Sequence, residues 1–157
     1  NKARPYLLAA GLPDSSWQRI QAMVLATDVS KGDTQDISPA EWLRGAFNGT
    51  LKKADAPKQL QVFFDDRDLA TQAALLEDSD LGTSAGMPYE FARRMTALIA
   101  EETKVLSPTP QTLIGFIDHI CRGTYITDAA RQLFGNNLQT LRSLADEEHA
   151  DTIYYWS

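Results

Sequence analysis

The chain has little of three things: cysteine, positive charge and long apolar runs. Its single cysteine, Cys121, cannot form an internal disulfide, which is typical of a reducing cytoplasm. With 15 basic and 21 acidic side chains the formal charge is -6, so a basic face for nucleic acid is not expected. No apolar run approaches the roughly 18 to 20 residues of a membrane span, and no signal-peptide pattern is present. We therefore expect neither a nucleic acid nor a membrane as a partner.

What the chain does contain is a series of helical patterns, and no stretch predicts a strand. Apolar residues make up 43% of the sequence and charged residues 23%, which is ordinary for a globular protein. Its length of 157 residues suits one domain with a sizeable core. We predict an all-α bundle of about six or seven helices, with residues 1–157 forming a single helical domain.

Several helix starts carry strong local signals. Ser38-Pro39-Ala40-Glu41 is a capping box with proline at the first helical position. Pro88 opens a helix that places Phe91, Met95, Leu98 and Ile99 on one face, and the last helix carries Leu138, Leu141 and Ala145.

Two aspartates end apolar helical stripes, where the helix dipole disfavours a negative charge. Asp28 ends the stripe of the first long helix, which opens near Asp14. Asp80 ends a stripe of Leu69, Ala73 and Leu76 on a helix that starts around Asp65 or Asp66. A carboxylate facing a core needs a cation or several donors, so each aspartate either pairs with an arginine, reaches water at a frayed end, or binds a metal.

The segment from Leu113 to Cys121 is apolar almost all round, interrupted by Gly115, Asp118 and His119. Such a helix is expected to be central, and Thr109 with Pro110 gives it a capped start. Phe116 then lies on the wall of a core or of a pocket. His119 and His149 are too far apart in sequence, and too poor in neighbouring ligands, to predict a zinc site.

Three segments in order resemble the C-terminal two-thirds of the catalytic domain of class I cyclic nucleotide phosphodiesterases, in the HD phosphohydrolase superfamily. They are VLATDVSK at 24–31, ALLEDSDLG at 74–82 and GFIDHIC at 115–121. LRSLADEE at 141–148 is also similar to the final helix of that family. The resemblance implies a metal-dependent phosphohydrolase that hydrolyses a phosphoester.

The resemblance also implies roles for the residues of the first segment. Thr27 would lie near metal-bound solvent, and Asp28 would stand beside it among the catalytic residues. Val29 would line the substrate pocket.

The other two segments would supply a metal ligand and the base-binding wall. Asp80 matches the aspartate that ligates the catalytic metal, and Phe116 matches the phenylalanine that stacks on the nucleobase. Leu113 stands where the family has a purine-selecting glutamine. The family arrangement would bring Asp28 and Asp80 around one pocket near Phe116.

The sequence departs from the family pattern in its metal ligands. The histidine-rich ligand helices that precede these segments in the family have no counterpart here, and neither does the histidine that protonates the leaving oxygen. We therefore expect zinc, magnesium or manganese in a parent enzyme, bound weakly by this chain alone, which should be inactive.

Three hypotheses follow from these observations. In the first, the chain is a fragment of a cytoplasmic phosphodiesterase-like enzyme that acts on a small nucleotide or another phosphoester. It would self-associate or be completed by a missing N-terminal segment. In the second, it is a non-catalytic helical binding or scaffold module. In the third, the resemblance is chance similarity between helices.

Overall fold

The structure is a computed structural model that describes residues 2–30, 37–104 and 109–156. Helices joined by turns make up these residues, with no strand among them, which confirms the all-α prediction. The α-helices are α1 (Arg4–Ala9), α2 (Asp14–Ala26), α3 (Pro39–Asn48), α4 (Val62–Asp65), α5 (Arg67–Ala85), α6 (Tyr89–Thr103), α7 (Pro110–Gly115) and α8 (Asp128–Trp156). Short 3-10 helices at Lys53–Asp55 and Lys58–Leu60 precede α4, and a π-helix, Phe116–Ile120, follows α7.

The chain divides into two compact units, Asn1–Glu77 and Asp78–Ser157. The single-domain prediction stays a prediction. Lys31, the last residue of the first matched segment, lies outside the described residues. In the described ranges, no helix combines the length and the apolar content needed to cross a membrane.

The predicted capping box starts α3. The Ser38 hydroxyl accepts a hydrogen bond from the Glu41 amide at 3.3 Å, and the Glu41 carboxylate accepts one from the Ser38 amide at 2.9 Å. This reciprocal pair satisfies two amides that the first helical turn leaves without partners. The helix ends at Gly49, whose φ of 71° suits glycine. The buried apolar residues of this unit include Trp42, Leu43, Leu60, Phe63 and Leu69.

Helix α5 differs from its predicted form in length and orientation. The Asp66 carboxylate accepts a hydrogen bond from the Leu69 amide at 2.8 Å, so Asp66 caps the helix start as predicted. The helix then continues past Asp80 and Gly82 to Ala85. Asp80 therefore lies within the helix and is exposed, so the prediction that the helix ends at this aspartate is wrong.

The buried carboxylate on α5 is Asp78, two residues before Asp80. Its side chain is 1% exposed and accepts hydrogen bonds from the amides of Ile126 and Thr127, both at 2.8 Å. The Thr127 hydroxyl donates a third bond at 2.7 Å and accepts one from the Ala130 amide at 3.2 Å. Asp78 thus fixes the backbone that leads into α8.

The core of the second unit is built on the segment predicted to be central. Leu113, Ile117 and Cys121 are buried, and they pack in one cluster with Leu138, Leu141 and Ala145 of α8. The predicted buried positions of the last helix are therefore confirmed. The ring centroids of Tyr125 and Phe134 lie 5.7 Å apart in the same cluster.

Candidate functional site

A largely apolar cavity of about 340 Å³ lies beside Phe116 in the Asp78–Ser157 unit. Its apolar lining comes from Ile99 and Ala100 of α6 and from Gly115, Phe116 and Ile120. Phe116 itself is partly buried, so its ring forms part of the cavity wall while still packing against the core. This position agrees with the predicted place of Phe116 on the wall of a pocket.

The backbone at this wall is a π-helix. The Cys121 amide donates to the carbonyl oxygen of Phe116, five residues earlier, at 3.1 Å. The turn ends at Arg122 and Gly123, which have φ values of 54° and 67°. Wide turns of this kind are rare and occur frequently at functional sites. The sequence pattern predicted only a continuous helix here.

A few polar groups line the same cavity: Ser84, Thr96, Thr112 and His119. The Thr96 hydroxyl donates to the Ala92 carbonyl oxygen at 2.9 Å, so towards a ligand it acts as an acceptor. Pockets for small molecules typically combine an apolar lining with a few polar groups that orient the ligand. Local sequence patterns did not group these polar residues because they come from four different elements.

Asp80 lies one helical turn from this cavity. It precedes Ser84 by four residues on α5, and residues four apart share a face of a helix. Asp80 is exposed and does not line the cavity. The Thr83 hydroxyl donates a hydrogen bond to the backbone carbonyl oxygen of Asp80 at 2.7 Å. This bond does not involve the Asp80 carboxylate.

Leu113 lies on a second cavity of about 270 Å³ and not on the one that Phe116 lines. Its side chain is 2% exposed. The second cavity is also lined by Arg93 and Arg94, and Thr96 contributes to both cavities. Leu113 and Phe116, which were both predicted to contact substrate, therefore line two different cavities.

Beside the second cavity, Arg93 and Tyr89 both bind the carboxylate of Glu148. Arg93 forms an ion pair with it at 3.0 Å, and the Tyr89 hydroxyl donates a short hydrogen bond to it. Burial, together with the neighbouring Glu148 carboxylate, raises the pKa of Tyr89 to about 12. This cluster joins the start of α6 to α8.

Removing the Tyr89 hydroxyl should destabilise the protein at neutral pH. We expect Tyr89→Phe to lower the free energy of unfolding by about 1 to 2 kcal/mol in urea titrations at pH 7. Because folding raises the pKa from 10.0 to about 12, the Tyr89 contribution is complete below pH 10 and is lost as pH rises towards 12. The difference between Tyr89→Phe and wild type should shrink over that interval. Tyr6→Phe, at a tyrosine 79% exposed, is the control and should change nothing.

The residues of the first matched segment belong to the Asn1–Glu77 unit. Thr27 caps the end of α2, and its hydroxyl donates to the Val24 carbonyl oxygen at 2.9 Å. Asp28 is exposed and accepts hydrogen bonds from the Ser30 hydroxyl and amide, which lower the pKa of its carboxyl. Val29 is 40% exposed. Their predicted meeting with Asp80 around one pocket stays a prediction.

The described residues do not by themselves fit a divalent metal site. A binuclear or tetrahedral site needs several histidine, cysteine or carboxylate ligands around one point. The part of the chain that the structure describes contains no group of three or more such residues, and Asp80 is an exposed carboxylate.

Comparisons with models of known protein families, with curated proteins and with solved structures found no match to this chain.

Proposed function

We propose that this chain is part of a phosphohydrolase resembling the 3′,5′-cyclic nucleotide phosphodiesterases, and that it holds the aromatic part of a phosphoester substrate. The observation that carries the proposal is the cavity beside Phe116. An aromatic ring on the wall of a cavity that is mostly apolar suits a flat heterocycle such as a nucleobase, because stacking requires no particular donor pattern.

The size and lining of the cavity support a small ligand. Its volume of about 340 Å³ is at the lower end of the range typical of ligand pockets, roughly 300 to 1,000 Å³. The hydroxyls of Ser84, Thr96 and Thr112 and the imidazole of His119 could orient polar edges of a heterocycle.

The position of Asp80 supports the same function. A phosphoester attached to a base in the cavity could extend along α5 towards its carboxylate, one turn from Ser84. In a metal-dependent parent enzyme Asp80 would be one ligand, and the remaining ligands would come from outside the described residues. A cytoplasmic location belongs to this proposal as well.

The test is binding of adenosine and of 3′,5′-cyclic AMP to the 157-residue chain, measured by isothermal titration calorimetry. We expect both to bind, and we expect Phe116→Leu to weaken the binding about tenfold, because stacking on an aromatic ring contributes roughly 1 to 3 kcal/mol per base. Circular dichroism should show that the variant keeps the helical content of the wild type.

A pair of glycine variants provides the matched control. A Cβ at either Gly115 or Gly135 meets no atom within 4 Å, so both should accept alanine without strain. Only Gly115 lines the cavity, so Gly115→Ala should alter the affinity for adenosine and Gly135→Ala should not. If neither ligand binds at millimolar concentration, the proposal is wrong.

The second candidate function is a helical binding module without catalysis. It is favoured by the absence of a metal-ligand group from the described residues and by the exposed apolar side chains Phe91 and Leu98. If the chain binds no nucleoside but associates through its exposed apolar surface, that result would support the second function.

A further inference from the structure

Helix α6 presents an apolar stripe to solvent. Phe91, Leu98 and Ile99 expose 43%, 48% and 49% of their surface, and Met95 is partly buried between them. Ala92 and Ala100, on the flank of the helix next to Ile99, are buried. The buried small residues thus lie beside the stripe of Phe91, Met95 and Leu98, which faces outwards.

The spacing of the stripe is that of a helix–helix seam. Single exposed apolar residues are normal on a protein surface. Phe91, Met95 and Leu98, however, follow one another at intervals of four and three residues, as the core positions of a coiled coil do. An amphipathic helix usually turns such a stripe towards a packing partner, so its exposure on α6 requires an explanation.

The charges on α6 indicate which partner fits. The first half of the helix carries Arg93 and Arg94, and the last turn carries Glu101 and Glu102. Arg94 and Glu101 are seven residues apart, so they lie on the same flank of the stripe, two turns from each other. Both are exposed.

A second copy of α6 in the antiparallel direction matches this pattern. Residues on the same flank of two antiparallel helices meet across the seam, so Arg94 of one copy would lie near Glu101 of the other. Two-fold symmetry repeats the contact, since residue i meets residue j and j meets i. In a parallel pair the same flank of the two helices lies on opposite sides of the seam, so Arg94 and Glu101 would not meet.

We propose that the exposed face of α6 is a homodimer interface, in which a second copy of this chain packs antiparallel on Met95 and Leu98, with Phe91 at each end of the seam. Reciprocal pairs between Arg94 and Glu101 set the direction of packing. A 15-residue helix is roughly 22 Å long, so the interface is small. The dimer should therefore be weak, with a dissociation constant in the micromolar range.

Analytical ultracentrifugation of the full 157-residue chain from about 5 to 500 µM tests the proposal. We expect a reversible monomer–dimer equilibrium. Leu98→Glu should raise the dissociation constant at least about tenfold, because it places a charge in the apolar seam. Leu133→Glu is the matched control. Leu133 lies on α8 and is 71% exposed, so this variant should dimerise like the wild type.

A charge-reversal cycle tests the direction of packing. Arg94→Glu and Glu101→Arg should each weaken the dimer several-fold at low salt, and the double variant should recover most of the loss because it restores opposite charges across the seam. Circular dichroism checks that every variant is folded. Three results would overturn the proposal: a wild-type monomer throughout the concentration range, a Leu98→Glu dimer as tight as wild type, or a double reversal no tighter than the single ones.

Discussion

Replacing Asp78 with alanine should lower the free energy of unfolding by about 3 to 5 kcal/mol in urea titrations. The carboxylate is 1% exposed and accepts three hydrogen bonds, from the amides of Ile126 and Thr127 and from the Thr127 hydroxyl. Alanine leaves these donors buried without an acceptor, and each buried donor without a partner costs about 1 to 3 kcal/mol. Asp78→Asn should cost less, because the amide oxygen still accepts.

The control for this prediction lies two residues along the same helix. Asp80 is exposed, so Asp80→Ala should change the free energy of unfolding by no more than about 0.5 kcal/mol. Equal losses from the two alanine variants would contradict the structural role that we assign to Asp78.

Gly86→Ala should cost about 2 to 3 kcal/mol, because the space beside the Gly86 Cα is already filled. An added Cβ would lie 2.7 Å from the carbonyl oxygen of Gly82 and 2.8 Å from the ring of Phe134. The Gly86 carbonyl oxygen also accepts a hydrogen bond from the side-chain Nδ2 of Asn137 at 2.7 Å, which limits how far this turn can shift. Thermal or urea unfolding measures the loss.

Gly135→Ala provides the comparison with Gly86→Ala. Gly135 lies inside α8, and a Cβ there meets nothing within 4 Å. Alanine should therefore stabilise the protein by about 0.5 to 1 kcal/mol through its higher helix propensity. A loss at Gly135 as large as that at Gly86 would show that crowding does not explain the effect.

The helix starts were predictable because the interactions that create them are local. The capping box at Ser38, the helix after Pro88 and the Thr109 cap of α7 each depend on residues within about four positions. Such signals can be read directly from the chain. The buried positions of α8 were likewise predictable from the spacing of its apolar residues.

The orientation of α5 was not predictable in the same way. Adjacent helical residues point about 100° apart, so Asp78 and Asp80 lie on nearly opposite faces of α5, and the stripe of Leu69, Ala73 and Leu76 selects the face that carries Asp80. The apolar residues before this point, Leu75 and Leu76, are both more than a third exposed and therefore mark no buried face. The donors that hold Asp78 are 48 and 49 residues away in sequence, where no local pattern reveals them.

The candidate site was predictable in part. Phe116 lines a cavity, as its place in an apolar segment interrupted by Gly115 suggested. The separation of Leu113 from that cavity depends on how α6 crosses the segment, which is a matter of tertiary packing. The resemblance to phosphodiesterases implied a role for each residue but did not predict how these helices pack against one another.

The π-helix makes the length of this segment as important as its composition. In a regular α-helix the eight steps from Leu113 to Cys121 would turn the chain about 80° beyond two full turns, so Cys121 would point about 80° away from Leu113. The wide turn keeps all three buried. Deleting one residue between Phe116 and Ile120 would remove the extra residue that the wide turn holds, so the segment could close into an α-helix with the residues after it nearly in place. The change would fall on the cavity wall itself, where Phe116 and Ile120 would stand at a different angle to each other.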